Sequence, residues 1–253
     1  MGVFNIIHGV MSDRCTNGIN IVLILVLVVL SGRCYVNNSH FQRTVETYVC
    51  MEVGDYPDSV NLEKLIKEDK KRVALTFDDG PKSPYTEKLL DGLKERNVKA
   101  TFFVIGESVR ENEALIKRMA EEGHIIGNHT YSHVQLSTLD YEACIEEIEN
   151  TNRAIFDACG VTPKYIRPPF GSWNENVTMA VNMTEVLWDV DPLDWKVKNA
   201  GIVANSVIRC ADDGSIILLH DIYESSVDAA LMIIDELKAQ GYEFVTVEEL
   251  LLD

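Results

Sequence analysis

Basic residues are scarce in this chain of 253 residues. Only 23 Lys and Arg stand against 40 Asp and Glu, a net charge of −17. A nucleic-acid binder needs a basic footprint that displaces counterions from phosphates, so that class is excluded. The acidity itself names no partner and suits an ordinary soluble surface. CxxC pairs are missing as well. The six cysteines, Cys15, Cys34, Cys50, Cys144, Cys159 and Cys210, follow no regular spacing. That excludes a zinc ribbon and a disulfide scaffold. Buried free thiols are expected, with one disulfide left open if the domain lies outside the membrane. Long apolar runs are also lacking. The longest, IVLILVLVVL (Ile21–Leu30), has ten residues, about half of what a membrane helix needs.

Ten residues match the apolar core of a secretory signal, about 7–15 residues long, and Arg14 supplies an upstream positive charge. Two readings of residues 1–34 stand: a cleaved signal peptide, or an anchor retained from Gly18 to Gly32. LSGRC resembles a bacterial lipoprotein signal, but Arg33 spoils it, so no lipid is expected on Cys34. Export is expected either way, to a secreted or a membrane-anchored surface location. Residues 35–70 are polar and aperiodic and read as a stem. Neither repeats nor low-complexity tracts occur. At 46% apolar and 25% charged, the composition is that of a globular protein with a sizeable core.

From Lys71 onward, short β-rich runs alternate with amphipathic stretches. The strand candidates are RVALTF (72–77), KATFFVI (99–105), HIIGN (124–128), YIRP (165–168), EVLWDV (185–190), SIILLH (215–220) and EFVTV (243–247). Tyr141, Cys144, Ile145, Ile148 and Ile155 recur at helical spacing, as do Val227, Ala230, Leu231, Ile234 and Leu237. Gly123, Gly160 and Gly241 follow helical stretches, where a left-handed cap is wanted. Seven strands alternating with helices predict an α/β domain with a parallel sheet, doubly wound or closed as a barrel.

In such folds chemistry collects at the C-terminal ends of strands, and the unusual polar residues fall there. The first strand ends in Asp78-Asp79-Gly80. The third runs into NHTYSH, with His129 and His133. The fourth carries RPPFG, Arg167–Gly171. The fifth leads into DVDPLDW, with Asp191, Asp194 and Trp195, and the sixth ends in LLHD, with His220 and Asp221. Each has a plain explanation alone: a turn, a chance histidine pair, a rigid loop. Five at one end of one sheet are hard to explain as coincidence. Two imidazoles and a carboxylate make a three-ligand set with an open position, the pattern of a catalytic zinc site. A second aspartate is then available as general base.

VALTFDDGP, HTYSH, RPPFG, DPLDW and LLHD, in that order, resemble the five motifs of the polysaccharide deacetylases (carbohydrate esterase family 4, the NodB homology domain). The resemblance covers residues 71–253. It implies a distorted parallel (β/α) barrel of about seven strands. It also implies that Asp79, His129 and His133 hold a divalent metal, zinc first and cobalt or another ion as alternatives. Asp78 would be the general base, oriented by Arg167, and the Phe170 backbone N–H would stabilise the oxyanion. His220, tuned by Asp194, would be the general acid. Trp195 and Leu218 would wall the acetyl pocket. Phe170 departs from the pattern, where tyrosine is frequent; its role is a backbone one. His124 and Asp221 are read as structural. The implied activity is hydrolysis of N-acetyl groups on a polymer of N-acetylglucosamine, peptidoglycan first and chitin second, by a monomer. An O-acetyl xylan esterase and a non-catalytic sugar-binding module are the alternatives.

Overall fold

The computed structural model describes residues 70–174, 177 and 181–252, which fall in one compact unit, Lys67–Asp253. The run Ile21–Leu30, the stem before Lys70, and Cys15, Cys34 and Cys50 lie outside the described residues. Among the described residues the seven strands are β1 (Arg72–Asp78), β2 (Thr101–Val104), β3 (Ile125–Asn128), β4 (Tyr165–Ile166), β5 (Thr184–Glu185), β6 (Ser215–His220) and β7 (Glu243–Val245). All pairings are parallel, in the order β5-β4-β3-β2-β1-β6. The helices are α1 (Tyr85–Glu95), α2 (Gly106–Glu111), α3 (Glu113–Glu121), α4 (Tyr141–Cys159), α5 (Asp194–Val197), α6 (Ala200–Cys210), α7 (Glu224–Ala239) and α8 (Val247–Leu251). Among the described residues no helix is long and apolar enough to cross a membrane.

β1 is the hub. It pairs with β6 along Val73–Asp78, with β7 at Arg72–Ala74 and with β2 at Thr76–Asp78. A strand has two edges, so β7 and β2 share one of them end to end, which splays the sheet. Alternation along β1 sends Val73, Leu75 and Phe77 into a large cluster with Phe102, Ile217 and the helix residues Leu89, Ile233 and Ile234. Each such side chain contributes about 1.5–3 kcal/mol on burial. Ala74 faces the other way, into a small cluster with Phe103, Tyr165, Val186 and Val247. The sheet therefore curls around a narrow interior, as a distorted (β/α) barrel.

The fifth predicted strand, 185–190, spans the gap between the sheet's two ends. Glu185 pairs with Ile166 of β4, while Val190 bridges Ile217 of β6. Between them Val186 and Leu187 turn their carbonyls to the Arg167 guanidinium. The segment closes the barrel without being a continuous strand. The seventh candidate stops at Val245 because Thr246 and Glu249 form a capping box that starts α8.

Gly123, Gly160 and Gly241 take φ of 80°, 75° and 90°, the left-handed caps expected. Cys144, Ile148 and Ile155 are buried on α4, but Tyr141, its first residue, is exposed. Cys144, Cys159 and Cys210 are free thiols; only Cys144 is buried, while Cys159 is half-buried and Cys210 exposed. The expected burial thus holds for Cys144 and fails for Cys159 and Cys210.

His124 lies in the core, edge-on to Phe102, and its Nδ1 accepts the Ala100 N–H at 3.1 Å. Burial, with Lys99 nearby, pulls its pKa from 6.5 to about 4. Protonation would set an N–H against an N–H. Between those two values the unfolded chain takes up a proton that the folded chain refuses, so stability falls as pH falls through that window. Urea unfolding between about pH 7 and about pH 4.5 should show roughly 2–3 kcal/mol of loss from this group. His124→Asn, whose Oδ1 can stand in for Nδ1 without titrating, should lose that share of the pH dependence. An unchanged slope in the variant would refute the assignment.

Candidate active site

Asp78 closes β1 opposite His220 of β6. Continued extension would point the next side chain to the other face of the sheet. Asp79 instead has φ of 71°, which breaks the alternation and brings both carboxylates to one opening. Among the described residues, six of the seven non-glycine residues with positive φ belong to the motif loops or lie just past them: Asp79, Thr130, His133, Phe170, Leu193 and Lys198. Such strain persists only where surrounding contacts over-determine the backbone.

One oxygen organises the centre. Asp79 Oδ1 lies 3.4 Å from His129 Nε2 and 3.2 Å from His133 Nε2, yet it is buried without a hydrogen-bond partner. His129 Nδ1 lies 2.6 Å from the Arg167 carbonyl. A carbonyl only accepts, so Nδ1 carries the proton and Nε2 presents its lone pair, the arrangement of a metal-ligating imidazole. Ligand atoms of Asp79, His129 and His133 all fall within 4.8 Å of one another. An orphaned carboxylate oxygen facing two imidazole nitrogens fits a divalent cation. Burial would raise the Asp79 pKa, but contacts with both histidines outweigh it and hold the group well below the usual carboxylate range.

Arg167 is fully buried inside the barrel. Its NH1 donates to Asp78 Oδ1 at 2.8 Å and to Thr76 Oγ1 at 2.7 Å, and its guanidinium lies over the Phe103 ring. Burial lowers its pKa against the opposing pull of Asp78. The other Asp78 oxygen, Oδ2, lies 3.8 Å from His129 Nε2. The Asp78 carboxylate thus sits between the Arg167 guanidinium and His129.

On the far side, His220 Nε2 stands 4.0 Å from Asp79 Oδ2. Its Nδ1 donates to Asp194 Oδ1 at 2.7 Å, while its backbone N–H reaches Asp194 Oδ2 at 2.9 Å. Burial alone would lower its pKa; the bond to buried Asp194, with Asp78 and Asp79 adding charge, pushes it up to about 9. Leu218, buried, precedes His220 by two residues on the same face, and Trp195, beside Asp194, is exposed. Phe170 is also exposed, with its ring edge-on to His133. The structure therefore gathers Asp78, Asp79, His129, His133, Arg167, His220 and Asp194 into one contact network. Trp195, Leu218 and Phe170 border it.

Sequence reasoning missed Thr76. Its buried hydroxyl accepts from Arg167 and donates to the Ile217 carbonyl. Asp221, read from the sequence as structural, lies under the turn that carries Asp79. It is fully buried, its carboxyl accepts from the Thr86 hydroxyl, and burial pushes its pKa up to about 7. Its carboxyl fills the space a Cβ at Gly80 would need, which is why the turn after Asp79 takes glycine.

A polysaccharide deacetylase family profile matches residues 66–186. A peptidoglycan-N-acetylglucosamine deacetylase of Bacillus cereus is 44% identical over 70% of this chain and 67% of its own length. The chain belongs to the polysaccharide deacetylase family. The peptidoglycan-N-acetylglucosamine deacetylase PgdA of Listeria monocytogenes is 45% identical over 77% of this chain. The peptidoglycan-N-acetylmuramic acid deacetylase PdaC of Bacillus subtilis is 41% identical over 76%. This chain spans only 42% and 41% of those two longer relatives. The solved PdaC structure superposes with a TM-score of 0.70 at 42% identity, over 72% of this chain and 90% of that one. The barrel is thus the fold of solved members of the family.

Proposed function

We propose that this chain hydrolyses the N-acetyl group of N-acetylglucosamine residues in peptidoglycan, with residues 71–253 as the catalytic domain. The observation that carries the reading is the single Asp79 oxygen facing two imidazoles, with Asp78 on one side and His220 on the other. A divalent cation, zinc before cobalt, would be held by Asp79, His129 and His133 and would polarise the acetyl carbonyl and acidify water there.

The remaining work belongs to the chain. Asp78 takes the proton of the attacking water, and the Arg167 bond keeps its second oxygen aimed at the opening. His220, protonated and fixed by Asp194, gives a proton to the departing amine. An amine leaves poorly as an anion, so an acid on that side is what an amide requires. The Phe170 N–H is assigned to the developing oxyanion. Trp195 and Leu218 are assigned to the walls around the acetyl methyl. Export through Ile21–Leu30 would put the domain where wall glycan is the nearest acetylated polymer. Peptidoglycan is also the substrate in the names of the relatives above.

The test is mass analysis of muropeptides from walls treated with the full chain and zinc. Acetyl loss should appear on glucosamine, and the treated walls should resist lysozyme. Loss confined to chitin oligomers, to muramic acid or to acetylxylan would reassign the substrate. No acetate from any of them would leave a sugar-binding module.

A further inference from the structure

The loop between the two histidines is held by a carboxylate that no step above uses. Glu147, in the first half of α4, accepts the Tyr131 and Ser132 backbone N–H groups on Oε2, each at 2.9 Å. Its Oε1 accepts the Ser132 hydroxyl at 2.7 Å. The loop's carbonyls are held from the other side: those of Thr130 and Tyr131 accept the Gly106 and Glu107 N–H groups at the start of α2. The Tyr131 ring lies so close over Gly106 that a Cβ there would overlap it. Asn128 completes the frame. Its Oδ1 accepts the Thr130 N–H, and its Nδ2 donates to Ile148 O and Asn152 Oδ1 on α4.

The two histidines depend on this frame unequally. His129 sits at the end of β3, with Nδ1 locked on the Arg167 carbonyl and a side chain only 3% exposed. His133 is 32% exposed, has φ of 56°, and no hydrogen bond among the described residues orients its Nδ1. Its ring goes where its backbone puts it, and the two amides just before it are the ones Glu147 holds. We propose that Glu147 is a positioning residue for the metal site, fixing where His133 presents Nε2. The proposal rests on the metal reading above.

Reach and charge can be separated. Glu147→Gln keeps the reach: its oxygen can accept both amides and its NH2 can donate to Ser132 Oγ. Glu147→Asp keeps the charge but is one methylene too short to hold all three groups. The full chain, stripped by chelator, is titrated with Co2+ while the cobalt visible band is recorded. Circular dichroism of the stripped variants monitors the fold. Glu147→Asp should bind cobalt about 10–100-fold more weakly, as expected for loss of a group supporting a ligand, with an altered band. Glu147→Gln should stay near wild type in both. Glu149→Ala, exposed on the same helix, should change neither. Wild-type affinity and band in Glu147→Asp would overturn the proposal. So would a Gln variant as weak as Asp, because charge rather than reach would then be at work. A wild-type chain that takes up no cobalt would overturn the metal reading itself, and this proposal with it.

Discussion

Asp78→Asn is expected to lower the rate of acetate release by about 10²–10⁴, the range for loss of a general base, while the protein keeps its metal. The asparagine oxygen can still accept the Arg167 bond now made at 2.8 Å, so the barrel interior keeps its geometry. What it cannot do is take a proton. The stability cost should stay below the ~3–5 kcal/mol of breaking a buried ion pair outright, because Arg167 retains a hydrogen-bond acceptor. His129→Ala is the contrast: it should lose metal and activity together. Turnover, metal content by elemental analysis and thermal unfolding, measured on both variants, separate the two roles. Turnover of Asp78→Asn within tenfold of wild type would remove Asp78 from the base role.

Much of this site was legible because its residues interrupt apolar strands. Asp78-Asp79 ends a run buried on both faces, and His220 ends another. Those two strands, continuous and apolar, were also the ones whose boundaries read most cleanly. β4 proved shorter than YIRP because Arg167 turns inward and Pro168 and Pro169 have no N–H for a ladder. The segment 185–190 broke because the buried guanidinium of Arg167, in the preceding motif, takes two of its carbonyls. Only a three-dimensional contact could show that.

The supporting residues were hidden for a similar reason. Thr76 is an ordinary strand former, and nothing in TFDDG says its hydroxyl serves Arg167. Glu147 lies among Glu146 and Glu149 on an amphipathic helix, where a glutamate reads as a solvated face. Thr246 and Glu249 did carry a local signal, the T-x-x-E capping pattern, and the β-rich EFVTV masked it. The local backbone of the motifs was not legible either. That Asp79, Thr130 and His133 are all left-handed follows from the loops' tertiary partners, since none of these residue types requires it.

The most direct measurement is acetate release from peptidoglycan by the full chain after its metal has been removed, followed by titration with zinc. The orphaned oxygen of Asp79 between two imidazoles is the basis of the account. Removing the ion removes the charge that acidifies water and polarises the carbonyl, so catalysis should stop rather than weaken. The stripped chain should release no more acetate than His129→Ala, and about one equivalent of zinc should restore the full rate, as a three-ligand catalytic site requires. Full activity in a thoroughly stripped chain would contradict the account at its centre.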